Sequence, residues 1–356
     1  MSIYIRKYLQ SNSTQKNQKS SIRYSVKDIF FVKDSPCSFG IKPEYIACAK
    51  SSSILIGTLN KHFTLIGSVN LSPLCLDSTA KNPFFGDGHV AEVVDEGKVL
   101  YGSSFGSALS VATKNLEDKV DFSIGSDSGG SIRAPAAGLG LYAIRLKSNV
   151  VSKENSLLLK TNLDSVGVIS DKKSTLREVV RILTPQIPYT RSRSIYIPHN
   201  DELTQLSNEH YDYFFKLIEF ISKTYEIKVC SQEFFKNFFN ERKKILQNEL
   251  RNLLFQDELQ EAIEAIPQAK ALQVSLAQTQ SLEYVQQDFI FDQNAMLLHP
   301  TISSKDPINF YLPAANVLDL FSASFFLEKD TLFSLCISGH NDTELLDFID
   351  EIQKSQ

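Results

Sequence analysis

The run Gly125-Ser126-Asp127-Ser128-Gly129-Gly130-Ser131-Ile132-Arg133 constrains this chain most, and it follows directly on the apolar Phe122–Ile124. A strand that runs into two adjacent glycines can turn tightly there, and such a turn aims several backbone N–H groups at one point. An oxyanion held at that point, with a serine at the end of the nest, is what acyl transfer requires. Ser/Gly runs also serve as plain turns or phosphate-binding loops. The run is neither a Walker A loop nor a GxSxG elbow, because its last serine follows two glycines and precedes Ile-Arg. A second run, Tyr101-Gly102-Ser103-Ser104-Phe105-Gly106-Ser107, leads into the mostly apolar Ala108–Ala112.

The chain of 356 residues divides by texture. Between 22 and 170, β-like runs (Ile22–Val26, Ile29–Val32, Thr64–Ile66, Phe122–Ile124, Leu139–Leu146) are separated by Gly/Ser/Pro/Asn turns, as in strands alternating with helices. Residues 171–290 read as a mainly helical subregion. Thr175-Leu176-Arg177-Glu178 has the form of a capping box for a helix ending near Thr184-Pro185, and 202–224 is amphipathic. Phe234–Gln256 and Ala269–Gln287 read as long charged or Gln-rich helices, and Ile227–Cys230 as a short strand. Strand patterns return at Ala295–Leu298 and Leu332–Ile337, before a terminal helix from Thr343. Without an internal repeat or a clean linker, residues 1–356 are expected to form one α/β domain, with 1–21 as a flexible N-terminal arm.

A hydrophobic fraction of 42% supplies a sizeable core, and a net charge of -4 supplies no basic field for nucleic acid. The five scattered cysteines, odd in number and without CxxC spacing, fit a reducing cytoplasmic compartment. The six histidines form no HExxH or close pair and no dinucleotide fingerprint is present, so neither a metal nor an organic cofactor is expected. No apolar run approaches the roughly 20 residues that span a bilayer. The first 27 residues are basic and free of acids, a composition that leaves mitochondrial targeting open beside a frayed arm.

Together the two serine runs resemble the amidase signature family. The first-quoted run and the Pro135-Ala136 beyond it match that family's G-(S/T)-D-(S/T)-G-G-S-(I/V)-R-x-P-A at every stated position. The Tyr101 run is similar to its G-G-S-S-x-G-S, with Tyr101 in place of the first glycine. Tyr24-Ser25-Val26-Lys27-Asp28-Ile29-Phe30 and Phe39–Tyr45 resemble segments of the compact plant-type branch that includes indole-3-acetamide amidases. Further likenesses occur at Ile66–Asn70, Asn82–Gly86, Leu163–Gly167 and Met296–Thr301. The resemblance implies an α/β/α fold with a mixed central sheet flanked by helices. It also implies a Ser–cis-Ser–Lys triad in which Ser131 is the nucleophile and Ser103 the bridging serine with a cis peptide.

Two Val-Lys-Asp triplets compete for the lysine. Lys27 ends a strand pattern and stands 76 positions before Ser103, close to the family's usual interval, whereas Lys33 leads directly into Ser35-Pro36. Lys27 is therefore the expected base. The resemblance further implies that the N–H groups of Ser128, Gly129 and Gly130 form the oxyanion hole. Asp127 and Arg133 are read as internal supports of the turn, Arg133 in an ion pair. Departures from the family pattern are Ala143–Lys147, which lacks a glycine and a proline, Phe105 at a glycine position, and a longer Thr113–Asp121 segment. The expected activity is hydrolysis of a small carboxylic amide to acid and ammonia through an acyl-enzyme, with no nucleic-acid or membrane partner and a homodimer left open. The rival readings are the glutamine-hydrolysing A subunit of a tRNA-dependent amidotransferase and an amidase-fold binding protein without turnover.

Overall fold

The computed structural model describes residues 3–8, 21–41, 48–88, 98–158, 163–186, 188–204, 206–254, 264, 270, 273–274, 291–301, 310–326 and 333–354. Eleven strands make one sheet: β1 (Tyr4–Lys7), β2 (Arg23–Lys27), β3 (Thr64–Val69), β4 (Phe122–Asp127), β5 (Tyr142–Arg145), β6 (Ser165–Ser170), β7 (Ser194–Ile197), β8 (Glu226–Val229), β9 (Ala295–Pro300), β10 (Phe321–Phe326) and β11 (Ser334–Gly339). Their order is β1-β3-β2-β4-β6-β5-β10-β11-β9-β7-β8. β2 runs parallel to β3 and β4, the middle strands are antiparallel, and β7 is parallel to both β8 and β9.

Helices cover both faces. On one face α1 (Ile54–Leu59), α4 (Lys173–Leu183), α6 (Asn208–Ile221) and the C-terminal helix Asp342–Lys354 bury their apolar stripes in one continuous core with Tyr24, Val26, Ile124, Val168, Phe325 and Ile337 of the sheet. On the other, α2 (Phe105–Ala112) and α3 (Arg133–Leu139) pack over Val69, Ala143 and Ile169. A short helix α5 (Asn200–Leu203) precedes α6. The long α7 (Phe234–Leu254) places Phe235 and Phe238 against Tyr311, Ala314 and Ala315. These last two lie on the short helix Pro313–Val317. Glu202 anchors the start of α7, its Oε1 accepting from the Phe235 and Lys236 N–H groups. This three-layer mixed-sheet arrangement is the expected fold class. Among the described residues no helix is long and apolar enough to cross a membrane.

Several local expectations need correction. Part of the presumed flexible arm is strand β1, antiparallel to β3, with Arg6 paired to Asp28 at 2.6 Å and Tyr8 Oη bonded to Ser68 Oγ. A buried carboxylate beside the sheet edge holds that segment in register. Ile29–Val32 is not a strand. The chain turns immediately after β2, with the Ile29 and Phe30 N–H groups both donating to Lys27 O. Thr175 does not cap α4: the helix starts at Lys173 and Thr175 is buried, because the Leu176, Val179 and Val180 stripe sets the rotational phase. Within 171–290, strand β7 is unexpected while β8 matches the short strand expected at Ile227–Cys230, and the helix expected over Ala269–Gln287 lies almost wholly outside the described residues.

Candidate active site

The alternation of β2 decides where Lys27 points. Tyr24 and Val26 enter the core on one face, Tyr24 stacking on Phe122 with centroids 5.2 Å apart. Ser25 and Lys27 take the opposite face, under α2, where Ser25 Oγ lies 2.9 Å from Ser110 Oγ. The parallel register sets Val26 beside Ile124, so Lys27 emerges at the carboxyl end of the strand pair next to Gly125-Ser126. Crevices at carboxyl strand ends are where open α/β sheets bind ligands.

Lys27 is fully buried, and its Nζ donates to Ser103 Oγ at 2.8 Å and to Ser126 Oγ at 3.0 Å. No carboxylate among the described residues reaches ion-pair distance of it; the adjacent Asp28 is engaged by Arg6 and Ser38. The Gly102–Ser103 peptide is cis. Ser103 stands at the entry to α2, held by its carbonyl accepting from Ser72 N at 3.1 Å. The entry is tight: a Cβ on Gly106 would lie 2.1 Å from Asn70 O, which explains the glycine there. Phe105, the departure beside it, is wholly buried among Val69, Leu109 and Ile132. Lys33, the competing lysine, is exposed.

Asp127 ends β4 and organises the turn. Its carboxylate accepts from Gly130 N at 2.8 Å, Ile132 N at 3.3 Å and Arg133 N at 3.4 Å, and it pairs with the Arg133 guanidinium at 2.9 and 3.0 Å. Arg133 reaches on to Leu312 O, Ser322 Oγ and Asn316 Oδ1, while Asn316 Nδ2 donates back to Asp127 O at 2.9 Å. Burial alone would raise the Asp127 pKa. The Arg133 charge and its hydrogen bonds outweigh that, and with Arg145 and Asn316 they hold the carboxyl well below the usual range. A carboxyl depressed in the folded state stabilises the fold above its unfolded pKa of about 3.9, and that contribution fades as pH falls below it. Replacing Arg133 with Met is therefore expected to cost about 3–5 kcal/mol, because it strands a buried carboxylate. Asp127→Asn should flatten the acid limb of the stability curve below about pH 4. Denaturant melts from pH 3 to 7 read both.

Of the three expected oxyanion donors, Gly130 needs correction, since its N–H is directed at Asp127 Oδ1. The N–H groups of Ser128, Gly129 and Ser131 have no protein acceptor among the described residues. Gly130 is required for another reason: its φ is +108°, and a Cβ would lie 2.3 Å from Leu312 Cδ1. Ser131 is half-buried at the head of α3, and its side chain makes no hydrogen bond among the described residues. The hydrogen-bonded chain thus runs from Lys27 to Ser103 and stops short of Ser131.

Two residues escape a reading of the sequence. Ser126, the second partner of Lys27, is visible there only as one hydroxyl inside the matched motif. Arg242 on α7 donates from Nε to Ser128 O at 2.9 Å and lies directly on Gly129, where a Cβ would be 2.0 Å from that nitrogen. Nothing separates it in sequence from the other charges of α7. Between α7 and the turn lies a cavity of about 220 Å³, lined by Ser126, Ser128, Asp164 and Arg242 and walled by leucines. Arg145, in the divergent Ala143–Lys147 stretch, is buried and donates to Leu320 O at 2.6 Å. Among the described residues no cluster of His, Cys, Asp and Glu could hold a metal ion.

This fold and this site define a known class. The family model for Amidase matches residues 8–212, and the chain belongs to that family. It is 33% identical to Amidase 1 of Oryza sativa subsp. japonica over 168 residues, 46% of this chain and 37% of that protein. It is 30% identical to the translocon at the outer membrane of chloroplasts 64 of Pisum sativum over 179 residues, 49% of this chain and 29% of that one. The chain thus spans well under half the length of these relatives. A solved crystal structure of an amidase superposes with a TM-score of 0.71 at 21% identity, covering 91% of this chain and 82% of the other.

Proposed function

We propose that this chain hydrolyses a small carboxylic amide to acid and ammonia, with Ser131 as nucleophile. The observation that carries the reading is the fully buried Lys27 Nζ at 2.8 Å from Ser103 Oγ, set at the carboxyl strand ends beside the Gly-Gly-Ser turn. A serine hydroxyl is a weak nucleophile until a base takes its proton. A neutral lysine can keep a proton on Ser126 and turn its lone pair to Ser103, which relays the Ser131 proton. Ser131 Oγ then bonds to the carbonyl carbon, and the oxyanion is met by the N–H groups of Ser128, Gly129 and Ser131. The C–N bond breaks as the relayed proton passes to nitrogen, and ammonia leaves an acyl-Ser131 ester. Water attacks the ester by the same relay, releasing the acid and restoring the hydroxyl.

A fluorophosphonate probe followed by peptide mass spectrometry tests this reading, alongside ammonia release from aliphatic and aryl amides. Label on Ser131 and ammonia from at least one amide are expected; label on a different serine would remove the assignment. A binding role without turnover is the competing reading, favoured by the absence of a hydrogen bond from Ser103 to Ser131. An unlabelled, folded protein would establish that alternative.

A further inference from the structure

The cavity beside the proposed nucleophile is not electrostatically neutral. Arg242 enters it from α7 with a single hydrogen bond among the described residues, from Nε to Ser128 O, and no carboxylate within ion-pair distance. Lys243, next on the helix, lines the same cavity. Asp164 is the one acid on its wall, and it lies in the field of Lys153 as well as that of Arg242. An arginine left this way retains most of its planar fork of donors, the geometry that grips a carboxylate through two parallel bonds. Burial pulls the Arg242 pKa down, with Asp127 and Asp164 opposing and Arg133 assisting. A half-buried cation of this kind, lining a cavity, gains from an anionic partner.

Size and position narrow the partner. A volume of about 220 Å³ matches the share of roughly seven liquid waters, room for an acid of a few carbons. Arg242 rests on Gly129, two residues before Ser131, so an anion gripped there sits a few bonds from the attacked carbonyl. Leu246 and Leu250 from α7 supply the apolar wall for the methylenes between.

We infer that Arg242 selects amides whose acyl part carries a carboxylate, short monoamides of dicarboxylic acids. The inference rests on the amidase function proposed above, and matched probes keep the two separable. Glutaramate and glutaramide differ by one charge at nearly constant size, and 4-aminobutyramide inverts the charge. With the parent protein, kcat/KM for ammonia release is expected to favour glutaramate over glutaramide by about 10- to 100-fold, the range of a charge-assisted hydrogen-bond pair. Arg242→Gln should collapse that ratio toward one, and Arg242→Lys should restore part of it. Titration calorimetry with glutarate supplies a readout independent of turnover: tight binding by the parent and binding at least tenfold weaker in Arg242→Gln are expected. Equal use of glutaramate and glutaramide by the parent, or preference for 4-aminobutyramide, overturns the inference while leaving the amidase function intact. Glutarate binding without hydrolysis of any amide does the opposite, supporting the anion site and overturning the amidase function.

Discussion

Ser131→Ala is expected to lower amide turnover by at least about 10,000-fold, the scale on which single members of a nucleophile–base unit act. The nucleophile's oxygen is the atom that forms the new bond, so nothing nearby substitutes for it without moving the backbone. Ser104 and Ser107 cannot stand in, because their Oγ atoms face the backbone carbonyls of Ser126 and Ile124. Ser128 lines the cavity, but in the proposed mechanism its N–H serves the oxyanion. The same substitution should leave stability almost untouched, since the Ser131 hydroxyl is only half-buried and makes no hydrogen bond among the described residues. A melting temperature within about 2 °C of the parent is expected. Paired measurements of ammonia release and thermal melting check both halves. A well-folded Ser131→Ala protein with parental turnover would falsify the assignment outright.

Lys27→Met should cost about 100- to 10,000-fold in kcat, the range over which a positioned base acts. Methionine keeps the volume of the lysine stem in a fully buried position, so the loss reports on the amine rather than on a cavity. The hydroxyls of Ser103 and Ser126 lose a common partner, which separates the relay from its base. Lys33→Ala serves as the contrast, being an exposed lysine in an otherwise similar Val-Lys-Asp triplet. Its turnover should stay within about tenfold of the parent, as for surface changes that touch neither core nor site. Dependence on Lys33 with indifference to Lys27 would overturn the assignment of the base, because Lys33 is exposed and it is Lys27 that bonds Ser103 and Ser126.

What is legible in the sequence is what is encoded locally. Strands β2, β3 and β4 are marked by apolar runs closed by turn residues, and Lys27 is separable from Lys33 by the proline that follows the latter. The Asp127 turn is legible through its match to the family's motif at every stated position. What escapes depends on distance along the chain. β1 is too short and too basic to look like a strand, and it forms because β3 offers a free edge and Asp28 a counter-charge for Arg6. Ile29–Val32 is as apolar as any strand, yet the turn following Lys27 diverts it. The family resemblance implies a free Gly130 N–H, while the folded turn directs that N–H inward to Asp127. Arg242 meets Ser128 from 114 positions away, and one charge in a charged helix announces no such meeting.

The Asp127–Arg133 hub also sets an order of assembly. Its outer partners, Asn316 and Ser322, lie 183 and 189 residues downstream of Arg133. At ribosomal rates of about 5–20 residues per second, some 10–40 s separate synthesis of the Asp127 turn from synthesis of the groups that lock it. During that interval the guanidinium has Asp127 but neither Asn316 nor Ser322, and the nascent turn lacks its far wall. The Asp127 turn is therefore completed late in translation, by the arrival of β10 and the short helix before it.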